Sequence, residues 1–462
     1  MKSKRILYFL IICLLSPLFI NCQNAANQRL IKHINSIKVI NTHEHQRNPL
    51  DYNVDHYNFY LLLARSYLKA DLVSAGSPKI NIETINKYNL DELWDIYGDY
   101  LKLSCNTSYY KHFVRGFQVL YDYNDPYFTQ TGIQSLSKKI SENYKSYDSW
   151  FSTAFKKAGF EIMFVDQYWD PYNYNIDTAH FGLVFHINNV ISGITEGPQQ
   201  SRKKGLTQHK FYELANKEGV TIKSLDDYLV FADIFFQKFV KNNVVCVKNS
   251  QAYSRTLEYE DISYEQAKMI FRKAPSLSER DKKRLQDFMF HWMIKKSIEF
   301  DLPIQIHTGY LAGNGNTLDN GKPIKLNNFF LKYPKAKFAL FHGGYPWTGE
   351  FVALGKMFPN VYLDLVWLPQ ISKQTAIRTF EEILDCVPYN KIMWGGDCSL
   401  IEESVGSLEY GKDVIIQVLS KKIQQGLMTE ENAIEIANRV FRENAIELFK
   451  LDEKLQLEKK VF

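Results

Sequence analysis

Short apolar runs alternate with amphipathic stretches along this chain, and that alternation predicts strands separated by helices. Ser36–Asn41 reads as a first strand. The segment 46–158 then carries Tyr, Leu and Lys at helical spacing, as in Leu90–Leu103 and Tyr109–Tyr121. It is too long for one strand-to-strand connection, so a helical insertion after the first strand is expected. From residue 159 onward strands return at Phe160–Val165 and Phe181–Phe185. A second long insertion carries the helix Leu225–Lys241, followed by the strand Val244–Val247, the helix Glu279–Phe300 and the strand Pro303–Ile306. The last third is the most regular, with strands Phe338–Phe341, Val361–Leu365 and Lys391–Trp394 around helices Thr348–Met357 and Lys373–Cys386, then helices Gly411–Gln425 and Glu430–Leu448. Eight candidate strands with helices between them favour an α/β fold, a (β/α)8 TIM-like barrel spanning residues 30–450, over an open sheet.

Composition narrows the picture. With 462 residues, 45% of them hydrophobic, the chain has material for one large barrel with insertions. Its formal charge of +5 is spread without long basic runs, which points away from nucleic acid. Lys2, Lys4 and Arg5 precede the apolar stretch Ile6–Ile20, the pattern of a secretory signal. The sequence Leu18-Phe19-Ile20-Asn21-Cys22 resembles a bacterial lipoprotein processing site, with Cys22 as the lipidated new N-terminus. Asn21 stands where a small residue is usual, which leaves simple signal cleavage open. Residues 1–22 are thus expected to be removed or anchored, and the protein to be exported, as a periplasmic protein or a lipoprotein of the outer membrane or cell surface. The cysteines show no CxxC pairing, and Cys246 and Cys398 read as small core residues.

The chemistry gathers where the strands end. Val39-Ile40-Asn41-Thr42-His43-Glu44-His45 closes the first strand with two histidines at alternate positions, which project to one side of a strand. Two imidazoles there make half of a zinc-type site. Gln305-Ile306-His307-Thr308-Gly309 and Leu340-Phe341-His342-Gly343-Gly344 each end a strand in a histidine and a glycine turn. Trp394-Gly395-Gly396-Asp397 ends one in a carboxylate, and Val244-Val245-Cys246-Val247-Lys248 ends one in a lysine. Histidines and a carboxylate in this order form the kind of ligand set that a hydrolytic metal uses. Glu44, between the two histidines, faces the opposite side and is given no catalytic role.

These motifs resemble the amidohydrolase superfamily, and within it the amidohydrolase-related group that includes aminocarboxymuconate-semialdehyde decarboxylase. The family more often has Asp where this chain has Asn41. The resemblance implies that His43, His45, His307 and Asp397 hold a divalent metal, zinc first, with manganese, iron or cobalt also suited to the set. It implies that His342 binds a second metal or acts on the substrate. A metal held there would lower the pKa of a bound water from about 15.7 to near 7. Asp397 would then take that water's proton, and His342 would polarise a carbonyl or steady an oxyanion. Lys248 has three readings: a carboxylated bridge between two metals, a partner for a substrate anion, or a structural ion pair. Arg255 either forks a substrate carboxylate or makes a salt bridge. Tyr310, Trp347 and Trp367 either wall the pocket or pack the core, and Asp364 either orients a ligand histidine or is simply buried. His56, His112, His180, His186, His209 and His291 have no comparable setting and read as structural or exposed.

The expected function is a metal-dependent hydrolase that attacks a C–N or C–O bond of a small molecule. A decarboxylase or uronate-isomerase-like enzyme is the alternative, and a non-catalytic binding lipoprotein is a third. One scaffold hosts all of these chemistries. A homodimer is implied by the family likeness alone.

Overall fold

A computed structural model describes residues 28–47, 57–196, 207–274 and 276–456. The export signal and Cys22 lie outside the described residues, as does His56. Eight strands form: β1 (Val39–Glu44), β2 (Phe160–Val165), β3 (Phe181–His186), β4 (Cys246–Asn249), β5 (Ile304–Ile306), β6 (Phe338–Leu340), β7 (Val361–Asp364) and β8 (Ile392–Met393). They pair in sequence order and every pair is parallel. Nearly all their side chains are buried, as expected of strands covered on both faces. The seam from β8 back to β1 is closed by individual backbone bonds. Thr42 N–H donates to Trp394 O (3.4 Å), Asp397 N–H to His43 O (2.8 Å) and His45 N–H to Cys398 O (2.9 Å). The expected α/β barrel is therefore present and nearly closed.

The first strand differs from expectation by running three residues further, through Glu44, while Ser36 ends a helix over 28–36. Its polar half stays extended and buried because each side chain has a partner. Asn41 Oδ1 accepts from Gly396 N–H (2.8 Å), and Thr42 Oγ1 donates to Asp364 (2.7 Å). Glu44 accepts from Asn41 Nδ2 (2.5 Å) and from Cys398 N–H (2.7 Å). Buried polar groups cost little only when paired in this way. Gly396 is glycine for the same reason: a Cβ there would lie 2.2 Å from Glu44 Oε1.

Between β1 and β2 the described chain is helical: Phe59–Arg65, Leu68–Ser74, Ile82–Lys87, Leu90–Leu103, Ser108–Tyr121, Gln130–Tyr144 and Tyr147–Ala158. Side chains that favour helix starts open five of these, namely Asn58, Asn81, Asn89 with Glu92 as a capping box, Thr107 and Thr129. The layer packs on the long helix Ile401–Gln424. From that helix the buried Glu402 accepts from Tyr121 Oη (2.7 Å), Trp150 Nε1 (2.9 Å) and Tyr144 Oη (3.1 Å). The expected helix Glu430–Leu448 is interrupted by a π-turn at Arg439–Glu443. Within that turn Arg442 forks the Glu161 carboxylate of β2 at 2.6 and 2.9 Å. Cys105, Cys246, Cys386 and Cys398 are free thiols, the second and fourth buried. Among the described residues no helix is long and apolar enough to cross a membrane.

Helix Ser108–Tyr121 crosses Ile401–Gln424 at backbone contact. A Cβ on Gly406 would sit 2.0 Å from His112 O, and one on Gly116 would sit 2.0 Å from Glu402 O. Gly406→Ala and Gly116→Ala should each destabilise the fold by about 1–3 kcal/mol or more in urea unfolding. Gly349→Ala, on a helix with open space around it, should change stability by less than about 1 kcal/mol.

Candidate metal centre

Strand alternation delivers His43 and His45 to one side, as expected, and the rest of the barrel fixes their tautomers. His43 Nδ1–H donates to Gln305 Oε1 (3.2 Å), and Gln305 Nε2 in turn donates to Thr42 O (2.8 Å). His45 Nδ1–H donates to Asp166 O (2.9 Å). Both Nε2 atoms therefore turn inward, that of His43 as a lone pair and that of His45 toward Asp397, where a cation would replace its proton, the arrangement that second-layer hydrogen bonds impose on metal-binding histidines. They meet carboxylates there. His45 Nε2 lies 3.0 Å from Asp397 Oδ1, while His43 Nε2 lies 3.6 Å from Asp397 Oδ1 and 3.8 Å from Asp166 Oδ2. One ligand atom each from His43, His45 and Asp166 falls within 4.8 Å of the others.

Charge and burial fit this set to a divalent cation. Burial opposes a proton on His45, yet the hydrogen bond and charge of Asp397, with Asp166 behind it, carry its pKa up to about 9. That is the mark of a negative pocket in need of a cation. Burial, with Lys248 and the neighbouring imidazoles, holds His43 well below its usual value, so it is a neutral donor. Burial works against ionisation of Asp166, but the His186 imidazole outweighs it and keeps the carboxylate charged. Two carboxylates and two inward imidazole nitrogens, one of which gives up its proton on binding, suit a borderline ion such as zinc.

The fifth- and sixth-strand histidines form a second group. His307 Nδ1 and His342 Nε2 are 3.0 Å apart. The outer nitrogens, His307 Nε2 and His342 Nδ1, donate to Tyr310 O (2.8 Å) and Val366 O (3.0 Å). Three contacts in this chain call for three protons, and two neutral rings supply two. Burial holds both rings neutral, with His307 pushed down to about 3 and His342 well below its usual value. Two lone pairs therefore face one another across the 3.0 Å gap, close to the spacing of adjacent nitrogen ligands about 2.1 Å from one ion. His342 Nε2 is also 3.9 Å from Asp397 Oδ2. His307 thus sits with His342 and apart from the His43–His45–Asp166 group. Both His342 and Asp397 hold left-handed backbone (φ 65° and 63°), a conformation that costs energy in non-glycine residues and recurs at functional sites.

Lys248 lies between the two groups. Its Nζ is 3.5 Å from His43 Nε2 and 3.7 Å above the Phe341 ring. Burial lowers its pKa to about 8 against the pull of Asp397 and Asp166, so a neutral amine is accessible near physiological pH. Asp364 is buried on Thr42 and on Val366 N–H (3.3 Å), with burial raising its carboxyl to about 7.

A cavity of about 590 Å3 opens over the centre, lined by His45, Asp166, His186, Lys248, His307 and Asp397 among others. Three of the expected substrate contacts stand elsewhere. Arg255 is held by Asp287 and by the carbonyls of Thr256 (3.1 Å), Lys283 (3.3 Å) and Glu258 (2.9 Å). Trp347 lies under Lys322, with Nζ 6.0 Å from its ring. Tyr310 packs on Trp367, and the buried Trp367 stands nearly perpendicular to the His342 ring with centres 5.2 Å apart. The aromatic residues that do line the cavity are Tyr67, Tyr168 and Tyr253. Tyr168 meets His45 edge-on at 4.9 Å, and Tyr67 Oη donates to Asp397 O.

Two residues of the site are not among those expected. Asp166 directly follows β2, and His186 ends β3, where its Nδ1 is 3.0 Å from both Asp166 oxygens. The sequence signal for both was the one that marked the other strands, a polar residue immediately after an apolar run.

The fold is a parallel (β/α)8 barrel whose strand ends gather a candidate metal-binding set, and comparison with known proteins finds likeness to amidohydrolases over part of the chain. The amidohydrolase family, expected from the motifs, is the one whose model matches residues 277–451. A uronate isomerase from Thermotoga maritima superposes with a TM-score of 0.72 over 92% of this chain and 97% of its own, at 14% identity. A glucuronate isomerase from Caulobacter crescentus does so with a TM-score of 0.73 over 93% and 95%, at 15% identity. These likenesses are of fold. Among curated proteins, Protein fluG of Emericella nidulans is 28% identical over 199 residues, 40% of this chain, and the chain spans only 22% of that protein's length.

Metal binding should release protons. His45 is protonated below about pH 9 in the metal-free protein and must become neutral to donate its lone pair. Zinc added to the apoprotein near pH 7.5 should therefore displace about one proton per ion, seen as a calorimetric heat that varies with buffer ionisation enthalpy. His45→Ala should remove that dependence, and a buffer-independent heat in the parent would contradict the assignment.

Proposed function

We propose that this protein is a metal-dependent hydrolase acting on a C–N or C–O bond of a small molecule. The observation that carries this reading is the placement of Asp397. One carboxylate oxygen lies 3.0 Å from His45 Nε2 and the other turns toward His342, at the mouth of a buried cavity. His43, His45, Asp166 and Asp397 would hold a metal, with His307, His342 and Lys248 around a second position. A metal there supplies Lewis acidity and makes water a nucleophile near neutral pH.

The remaining steps belong to the chain. Asp397 is placed to accept the proton of an attacking water and return it to the leaving group. Gln305 and Asp166 O hold the ligand imidazoles in one tautomer. The His186–Asp166 pair keeps a second charged carboxylate fixed beside His43 Nε2. Tyr168 and Tyr253 give the cavity aromatic walls that narrow it around a substrate. Lys248, whose pKa burial lowers to about 8, has an accessible neutral form able to take up carbon dioxide as a carbamate, or when charged can pair with a substrate anion.

A second reading, isomerisation of a sugar acid, is favoured by the superposition of almost the whole chain on uronate isomerases. Zinc- or manganese-loaded protein assayed with amides, esters and lactones, and in parallel with uronates and carboxylated substrates, separates the readings. Hydrolysis yields a new acid, decarboxylation yields carbon dioxide, and isomerisation turns the uronate's aldehyde into a ketone with its carboxylate intact and no new acid released. Asp397→Asn should lower kcat at least about a hundredfold with little change in melting temperature. An Asp397→Asn enzyme of undiminished kcat would remove Asp397 from the reaction.

A further inference from the structure

A second cavity, of about 240 Å3, shares no wall residue with the metal pocket. It opens between helix Tyr147–Ala158 and the turn that leads into β3. Three side chains meet on its wall. Ser152 Oγ lies 3.2 Å from His180 Nε2, and His180 Nδ1 lies 2.6 Å from Asp177 Oδ2. An ionised carboxylate only accepts, so the ring proton sits on Nδ1 and leaves Nε2 to accept from the serine hydroxyl. This is the tautomer and the order of contacts that a serine nucleophile, its base and an orienting carboxylate require. We propose that Ser152, His180 and Asp177 form a second, metal-independent acyl-transfer site that cleaves small esters.

The local structure holds these groups in register. Thr153, the next residue, turns its hydroxyl back to Ser149 O (2.8 Å), the habit of hydroxyl residues within helices. Ser152 instead directs its hydroxyl across to the imidazole. The ring is fixed edge-on by Phe151 and Phe155 at 5.4 and 4.8 Å. Its backbone is pinned by Met163 N–H to His180 O (2.9 Å). Asp177 is oriented by a turn of its own, accepting from Ala179 N–H at 2.9 Å. Orientation by backbone and ring contacts means that little reorganisation is needed before reaction.

The cavity wall defines the ligand. Phe151, Phe181 and Tyr147 give it an apolar side, and Arg47 lies on the same wall with its guanidinium 5.7 Å from the Trp169 ring. The volume admits a small acyl ester, and Arg47 supplies positive charge for an oxyanion or an acidic acyl group. In the first half-reaction Ser152 Oγ bonds to the acyl carbon while its proton passes to His180 Nε2. The alkoxy or aryloxy group leaves with that proton, and the acyl group stays on Ser152. In the second half-reaction water gives its proton to His180 Nε2 and attacks the acyl carbon. Ser152 then departs protonated, so that ester and water become acid and alcohol.

The test uses the full-length protein with p-nitrophenyl acetate as substrate and a fluorophosphonate as covalent probe. The expected result is p-nitrophenol release that survives a metal chelator and falls at least about a hundredfold in Ser152→Ala and in His180→Ala. Mass spectrometry should find the probe on the peptide bearing Ser152. Alanine suits a half-exposed helix position, so Ser152→Ala should melt at the parent temperature. Were it to misfold, the probe site in the parent and a changed pH profile in Asp177→Asn decide the matter. Probe absent from Ser152, turnover untouched by Ser152→Ala, or turnover lost to the chelator would overturn the proposal. The chelator arm keeps this outcome separate from the fate of the metal-dependent reaction.

Discussion

The barrel's closure and the candidate metal centre are made by the same few hydrogen bonds. No regular ladder joins β8 to β1. Asp397 N–H reaches His43 O, His45 N–H reaches Cys398 O, and Glu44 fastens Asn41 to the backbone of Cys398. Each of these bonds sets a ligand at the moment it shuts the sheet. Glu44 bears the electrostatic cost: burial lifts its carboxyl to about 8 even with three side-chain donors and a backbone N–H around it. A group so costly to ionise is held in place by Asn41, Gln46 and Cys398, and so adds a side-chain tie to the backbone bonds that bring His43, His45 and Asp397 together.

The interior around this seam is an arrangement of opposed charges in a dry space. Asp166 and Asp397 make the floor negative, Lys248 answers from β4, and four imidazoles stand between them. Burial drives His43, His307 and His342 toward neutrality, while the carboxylates draw a proton onto His45. Neutral rings with their outer nitrogens tied to carbonyl or amide oxygens present lone pairs inward, and the one protein donor near them is the Lys248 amine, 3.5 Å from His43 Nε2. A cation would resolve that imbalance, both at the His43–His45–Asp166 group and at the facing nitrogens of His307 and His342. Aromatic residues complete the enclosure, with Phe341 beneath Lys248 and Trp367 against His342.

Much of this was legible in the sequence because barrels place chemistry at strand ends, and strand ends show as apolar runs broken by a polar residue. Helix limits such as Leu90–Leu103, Leu225–Lys241 and Thr348–Met357 follow from periodicity alone and agree with the structure. The first strand was misplaced because Asn41–Glu44 does not look like a strand. Its polar side chains are extended only through partners far away in the chain. Asp166 carries no motif and His186 reads as structural or exposed, although both obey the strand-end rule, because neither lies in a stretch with the family likeness. Arg255 looked available because its partner Asp287 lies on a helix 32 residues onward. The pairing of His307 with His342 depends on β5 and β6 being neighbours with matched register, which no local pattern reveals.

The most direct measurement is anomalous diffraction at the absorption edge of the bound metal, from crystals of zinc-loaded protein. The account predicts a peak about 2.0–2.2 Å from Nε2 of His43 and of His45, with a carboxylate oxygen of Asp166 or Asp397 in the same shell. A peak remote from both histidines, or none at saturating zinc, would contradict it.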